Sequence, residues 1–570
     1  MSRDVRVHTH VSLVGATEEV LRVSRQRLTV AALLFALCFT AIGGQVVRLT
    51  LFRGGDEAAR QAQAGGGVTA GRAAIVDRNG VLLASSLNTA SLYADARAVL
   101  DPERAARRLA EVLPGLNVED TKARLASGKA FVWLRRNLTP QAQYRVNRLG
   151  IPALGFRSEE RRLYPHGSLV AHVLGYTDVD NRGIAGIERG LDEDLQRRGG
   201  TGEPVALSLD VRVQYALHEE LRAAMERFRA KGAAGVVMDA DNGEVLALVS
   251  LPDFDPNRPT ETAADNRFNR ISLGVYELGS VFKIFTVALG LESGVTTMRK
   301  GYDATNPIKI SRFTIRDDHA KKRWLSVPEI FMYSSNIGAA KMALDAGIDA
   351  QRAMLARLGL LEKPGIELSE VGSPLAPERW REINAMTIAF GHGVAVSPLQ
   401  LASGVAAVVN GGTLRPPTLL RRNPEREVPG RQVLSAKTSD HMRRLMRLVV
   451  AKGTGRQADA KGYLVGGKTG TAEKSGRKGY RRKALLSSFV AAFPMHRPRY
   501  VVYALLDEPQ GDEKTFGFAS AGWTAAPTVG RVVARIGPVL GVRPVDPEQK
   551  QIRQAMAVDI PGAGAKLASY

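Results

Sequence analysis

The sequence predicts an α+β protein: one N-terminal transmembrane helix, an elongated middle domain, and a larger domain with helices flanking an antiparallel sheet. Three observations predict it. Residues 28–47 form a charge-free apolar run. Short apolar runs of strand length lie at 205–209, 234–238 and 245–250 and return at 463–472, 485–493 and 499–506. Between these two sets, residues 278–410 are dominated by helical patterning. Helices inserted between the strands of one sheet give an α+β domain. A chain of 570 residues also exceeds what one core supports, so several domains are expected.

The run from Leu28 to Val47, LTVAALLFALCFTAIGGQVV, is about twenty residues long, enough to cross the hydrocarbon core as a helix. Arg22, Arg25 and Arg27 precede it, which places the N-terminus in the cytoplasm. An extended basic segment and a long apolar core favour an uncleaved anchor over a signal peptide cut near Gly43. The expected organisation is a cytoplasmic tail at 1–27, a transmembrane helix at 28–50, and everything later outside the cytoplasm. That topology removes nucleic acid from the anionic partners that a net charge of +22 would otherwise favour. The single cysteine, Cys38, excludes an intrachain disulfide and zinc sites of the CxxC kind. No metal and no cofactor is expected.

Next, GRAAIVDRNGVLLASS at 71–86 reads as a hairpin about Asn79-Gly80. Residues 101–150 read as basic helices, and RRGGTGEP at 197–204 as a glycine-rich hinge. These bounds give a middle domain at 51–204, a larger domain at 205–540, and a loose Pro/Gly-containing tail at 541–570.

Three short elements carry chemistry. In Gly279-Ser280-Val281-Phe282-Lys283, a helix starting at Ser280 puts Lys283 on the same face, one turn on. A serine hydroxyl needs a base, and Phe282, Ile284 and Phe285 supply apolar surroundings that lower an amine's pKa. Spacing alone is weak, since a chain of this composition yields about one S-x-x-K by chance. Ser475-Gly-Arg-Lys478 is another, set in a glycine-rich basic loop with no apolar helix behind it. The second element, Ser334-Ser335-Asn336, falls between a helix opened by Ser326, Pro328 and Glu329 and one starting near Gly338. Ser86-Leu87-Asn88 repeats the pattern at the end of the early hairpin. The third, Lys468-Thr469-Gly470-Thr471, reads as an edge strand with an amine and two hydroxyls suited to a carboxylate. Lys468, among glycines and threonines, is expected to stay charged. Gly462 to Thr469 also fits the phosphate-binding pattern G-x-x-x-x-G-K-T, which would make a nucleotide hydrolase. That motif needs a buried strand before it and a helix after it. Arg456–Lys461 is too polar for the one, and Gly470 and Gly476 interrupt the other.

The order S-x-x-K, S-x-N, K-T-G, with gaps of roughly fifty and 130 residues, is a specific constellation. Here the chain resembles the penicillin-binding proteins and serine β-lactamases. GRAAIVDRNG, Arg161-Arg162-Leu-Tyr-Pro and Gly183-Ile-Ala-Gly-Ile-Glu188 resemble the pedestal of the class B high-molecular-mass members. Phe390-Gly-His-Gly and Ser397-Pro-Leu-Gln-Leu resemble stretches of their transpeptidase domain, and Phe516-Gly-Phe518 is a weaker match. The resemblance spans about residues 70–530 and is nearest the division-specific, FtsI-like branch. It implies a D,D-transpeptidase that cross-links peptidoglycan stem peptides ending in D-Ala-D-Ala and is acylated by β-lactams. It implies Ser280 as nucleophile, Lys283 as proton acceptor, and Ser334 and Asn336 as proton relay and peptide support. Lys468, Thr469, Gly470 and Thr471 would bind the donor, with the N–H groups of Ser280 and Thr471 as the oxyanion hole. Arg72, Arg161 and Glu188 resemble structural residues of the pedestal. Two positions depart from the family: Leu278, where proline often precedes Gly-Ser, and Ala73, where glycine often follows the pedestal arginine. The pedestal is too short to hold a glycan polymerase, which implies a separate FtsW-like membrane partner and other division proteins. Elongation-type transpeptidase, D,D-carboxypeptidase and β-lactam sensor are the neighbouring alternatives.

Overall fold

A computed structural model describes residues 30, 33–40, 42–43, 71–310, 313–476 and 479–560. The chain divides into Met1–Val68 and Thr69–Tyr570. In the first unit the described positions are helical, with Leu33, Leu34, Phe35, Leu37 and Phe39 exposed. Among the described residues no helix is long and apolar enough to cross a membrane. The expected tail at 1–27 and most of the expected span at 28–50 lie outside the described residues.

The second unit opens on β1 (Ile75–Val76) and β2 (Leu82–Ala94), joined by a turn in which Asp77 Oδ1 accepts from the N–H groups of Asn79 and Val81. Gly80 has φ +85°, the left-handed region that glycine adopts without penalty. Helices α1 (Pro102–Val112), α2 (Val118–Leu125) and α3 (Pro140–Asn147) follow, capped by Asp101, Asn117 and Thr139. The 101–150 stretch is not wholly helical, however: β3 (Val132–Leu138) interrupts it, and β4 (Leu154–Leu163) follows. Both pair with β2, and in β3 sheet pairing overrides the arginine-rich composition that suggested helix.

Arg72 Nε lies 2.5 Å from Glu188 Oε2, and Arg162 Nε lies 2.7 Å from Glu188 Oε1, all three buried. The structural arginine is therefore Arg162 and not Arg161, which is exposed. Alternation along β4 decides this, since neighbouring residues face opposite sides and Arg162 is the one brought to Ser86 and Arg72. Ser86 is a strand residue of this network, bonded to Arg72 and Arg162. After residues 197–204, β5 (Val205–Ala206) runs parallel to β1, with Val205 N donating to Ala74 O and Leu207 N to Val76 O.

The larger domain is built on α4 (Val211–Arg227), β6 (Gly232–Asp239) and β7 (Val245–Leu251), then α5 (Lys283–Glu292), α6 (Val327–Tyr333), α7 (Asn336–Ala346), α8 (Pro398–Val409) and α9 (Ala436–Lys452). It closes with β8 (Gly466–Gly476), β9 (Gly479–Phe493), β10 (Tyr500–Asp507) and α10 (Ala525–Val539). The five strands form one antiparallel sheet in the order β8-β9-β10-β6-β7. Strands β6, β7 and β10 read as nearly continuous apolar runs because both faces are covered. Ala234, Val236 and Met238 point into the core holding α5, α8 and α9, while Ala233 and Val237 point into the core of α4 and α10. Helix α5 lies inside the domain, buried from Lys283 to Gly290, as an all-round apolar helix must be. Beyond the sheet, part of the expected loose tail is ordered. Helix α11 (Lys550–Ala555) forms, and Val545, Ile552, Met556 and Val558 pack half-buried on the main core.

Candidate active site

Ser280 sits in a 3-10 turn, Gly279–Phe282, that runs directly into α5. Side chains at i and i+3 eclipse in a 3-10 turn, which stacks Lys283 over Ser280 and brings Nζ to 2.9 Å from Oγ. Gly279 has φ +60°, and a Cβ there would meet Thr471 O at 2.6 Å, so glycine is needed both for the turn and for the approach of β8. Gly470 serves the same approach, since a Cβ on it would lie 2.6 Å from Leu278 O.

The second element is placed as expected between α6 and α7. Ser326 and Glu329 form the capping box that starts α6. Ser334 ends it in the left-handed conformation, φ 62° and ψ 42°. From there Ser334 Oγ lies 3.1 Å from Lys283 Nζ and 2.9 Å from Lys468 Nζ, so one hydroxyl bridges both amines. Lys283 Nζ also donates to Ser334 O at 2.5 Å and Asn336 Oδ1 at 2.6 Å. These two oxygens can only accept, and a neutral amine has two N–H groups and one lone pair. With both N–H groups so engaged, the lone pair of neutral Lys283 is left for the hydroxyl proton of Ser280 or Ser334. Burial favours that neutral form and lowers the Lys283 pKa from 10.5 to about 7, with Asp317 and Asp318 opposing the shift.

Lys468 departs from expectation. Its place on β8 beside Thr469 is as read, but its side chain is fully buried, its Nζ 6.0 Å from the Phe331 ring centre. Burial first, and the charge of Lys283 second, hold its amine well below the ordinary lysine range. The site thus disfavours the permanent ammonium suggested by a glycine- and threonine-rich sequence. Thr469 Oγ1 pairs with Thr454 Oγ1 at 2.8 Å, and Thr471 Oγ1 accepts from Ala521 N at 3.1 Å. Strand β8 continues to Gly476 where a phosphate-binding loop would need a helix, so the nucleotide reading falls. Ser475 lies further along β8, and Lys478 is outside the described residues.

Ser280, Ser334, Thr469 and Thr471 open into one cleft of about 720 Å³, also lined by Asp317, Asp318, His319, Lys321, Tyr333, Thr454, Arg456 and Trp523. Sequence reasoning missed Asp317 and Thr454. Neither lies in a recognisable motif, and the only signal near Thr454 was the Gly453-Thr-Gly455 break after a helix. Gly391, within the Phe390-Gly-His-Gly stretch, has φ +85° and abuts Gly279 so closely that a Cβ would lie 2.1 Å from Gly279 O.

Residues 233–529 match the penicillin-binding protein transpeptidase domain, and residues 67–203 the penicillin-binding protein dimerisation domain. A probable peptidoglycan D,D-transpeptidase FtsI of Caulobacter vibrioides is 41% identical over 91% of this chain and 89% of its own length. The chain is a class B penicillin-binding protein of the FtsI-like kind. The peptidoglycan D,D-transpeptidase FtsI of Escherichia coli is 30% identical, covering 84% of this chain and 85% of that protein. Penicillin-binding protein 3 of Mycobacterium tuberculosis, solved in complex with aztreonam, shares the fold: TM-score 0.66 at 24% identity, over 84% of this chain and 98% of that one. This penicillin-binding protein therefore joins a dimerisation domain to a transpeptidase domain in one α+β architecture.

Proposed function

We propose that this penicillin-binding protein cross-links peptidoglycan stem peptides through an acyl-enzyme on Ser280, in septal wall synthesis. The observation that carries the reading is Lys283 Nζ, buried, 2.9 Å from Ser280 Oγ and already donating to two carbonyl oxygens. Neutral Lys283 takes the Ser280 proton as Oγ attacks the penultimate D-Ala carbonyl of the donor. The C–N bond to the terminal D-Ala breaks, and the departing amine receives a proton through Ser334, which touches both lysines. The acceptor amine then attacks the ester, and its proton returns by the same hydroxyl to regenerate Ser280. Backbone N–H groups of Ser280 and Thr471 stabilise the tetrahedral oxyanion. Thr469, Thr471 and Lys468 receive the donor's terminal carboxylate, whose arrival supplies the negative charge that lets Lys468 hold a proton. A β-lactam enters the same path, and its ring-opened acyl group stays on Ser280.

The chain is held to the cytoplasmic membrane by one span at 28–50, with the catalytic domain outside the cytoplasm. Val30, Leu33, Leu34, Phe35, Leu37, Phe39 and Ile42 support this, since they are exposed around the helix rather than along one stripe. An FtsW-like polymerase supplies the glycan strands. The test is intact-mass analysis after benzylpenicillin, with peptide mapping. One adduct within residues 280–283, absent in Ser280→Ala, is expected, and an adduct elsewhere refutes the assignment.

A further inference from the structure

We propose that Asp317 is a positioning residue of this site: its carboxylate clasps the Ser334-Ser335-Asn336 turn from a separate loop and aims Ser334 and Asn336 at Lys283. The proposal rests on the reading of Ser280 and Lys283 given above.

Asp317 Oδ1 accepts from Asn336 N at 2.6 Å and Ile337 N at 2.9 Å, and Oδ2 accepts from Ser335 Oγ at 2.7 Å. The two N–H groups open α7 and have no acceptor within the helix. The next residue back contributes too, since Arg316 O accepts from Asn336 Nδ2 at 2.9 Å. An amide carries its oxygen and its nitrogen on opposite corners. Tying the nitrogen to Arg316 O therefore turns Oδ1 toward Lys283 Nζ, 2.6 Å away. Ser334, one residue before the clasp, holds a left-handed backbone that is unfavourable for a non-glycine residue. Such a conformation persists where its surroundings over-determine it. Helix α7 already has a local cap in Ser335 Oγ, which accepts from Gly338 N at 3.0 Å. A second acceptor arriving from a loop some twenty residues upstream does what the local cap does not: it ties the turn to a segment outside the helix.

Besides these bonds, Asp317 brings a negative charge toward Lys283. The charged and titratable groups around that amine are Lys468 on β8, His392 in the loop after helix Glu382–Ile388, and the carboxylates Asp317 and Asp318. Asp317 is the larger of the two carboxylate influences. A neutral cap of α7, as Ser335 is, changes stability and leaves the proton affinity of Lys283 untouched.

The test uses full-length protein in detergent, with acylation by a chromogenic cephalosporin followed from pH 5.5 to 9, adduct mapping, and thermal melting. Asp317→Asn keeps the shape and one acceptor but removes the charge. Its acid limb should shift to lower pH, by at least about half a unit, while acylation at pH 8 stays within about tenfold of wild type. Asp317→Ala should acylate about ten- to a hundredfold more slowly across the range, as misplacement of the relay predicts. Ser335→Ala, which weakens the local cap but keeps the Asp317 charge and its two backbone bonds, should lower the melting temperature and leave the acid limb in place. An Asp317→Asn profile superimposable on wild type overturns the proposal even if Asp317→Ala fails to fold. An unlabelled Ser280 in the wild type overturns the underlying assignment and the clasp with it. A labelled wild type with unaltered variants overturns the clasp alone.

Discussion

Gly470→Ala tests whether catalysis depends on how closely β8 approaches the nucleophile turn. The backbone there is not left-handed, so alanine adds only a methyl group. That Cβ would lie 2.6 Å from Leu278 O, 2.6 Å from Ser488 Oγ and 2.9 Å from Val281 Cγ1. The Ser488 hydroxyl can rotate away. Leu278 O cannot, because it belongs to the turn that carries Ser280. Ordinary C···O contact begins near 3.3 Å, so strand and turn must part by about 0.7 Å. Overpacking of this kind destabilises by about 1–3 kcal/mol, which leaves the protein folded at 25 °C. Displacement of reacting groups by about 1 Å slows chemistry about a hundredfold, so acylation should fall ten- to a hundredfold. Stopped-flow acylation by a chromogenic β-lactam measures the rate, and active-site titration confirms the folded fraction. Ser488→Gly in the same background should not rescue the rate, because the Leu278 contact remains. Acylation within twofold of wild type would refute the claim that this spacing is catalytic.

Acylation needs neutral Lys283, so its rate should rise with pH through about 7 and fall about tenfold per unit well below that, read as rate against pH. The same depressed pKa means the unfolded chain binds the proton more tightly, so stability should increase as pH rises from about 7 toward 10.5, read by urea titration. Lys283→Arg should reduce acylation at least a thousandfold, since a guanidinium cannot accept the proton. Lys468→Arg should also lose at least about thirtyfold, because the larger, permanently charged group must enter a fully buried position. Near-wild-type labelling of Lys468→Arg would show that the buried setting is immaterial. Glu188→Ala should destabilise by about 3–5 kcal/mol in denaturant, since it strands Arg72 and Arg162 without their shared carboxylate. A reporter joined after residue 60 should be active only outside the cytoplasm.

The sheet of the transpeptidase domain was legible because Ala234–Met238 and Tyr500–Leu506 are apolar on both faces, a pattern a surface helix does not show. Strand β3 was hidden, since it carries arginines such as Arg135 and Arg136 that read as a polar helix face. The three reacting triplets declared themselves through order and spacing. Their environment did not: the burial of Lys468 comes from Phe331 on α6 and from the packing of the strand, none of it adjacent in sequence. Arg161 and Arg162 are indistinguishable to the eye until the strand's register shows which one points inward. Asp317 is one aspartate in Arg316-Asp-Asp-His319, and only the fold shows that its carboxylate reaches the turn before α7.

The parallel pairing of β1 with β5 has a mechanical consequence. The chain enters the smaller lobe through Ile75–Val76 and leaves it through Val205–Ala206, side by side. Tension applied at residue 71 and resisted beyond Leu207 acts on opposite ends of two strands that run the same way. It loads the bonds from Val205 N to Ala74 O and from Leu207 N to Val76 O together, in shear, rather than peeling them one at a time. The intervening helices α1 to α3 and the far ends of β2 to β4 hang beside this path and carry little of the force. A pull along the chain would therefore pass to the catalytic domain through a short stiff link, leaving the outer lobe as an unloaded side branch.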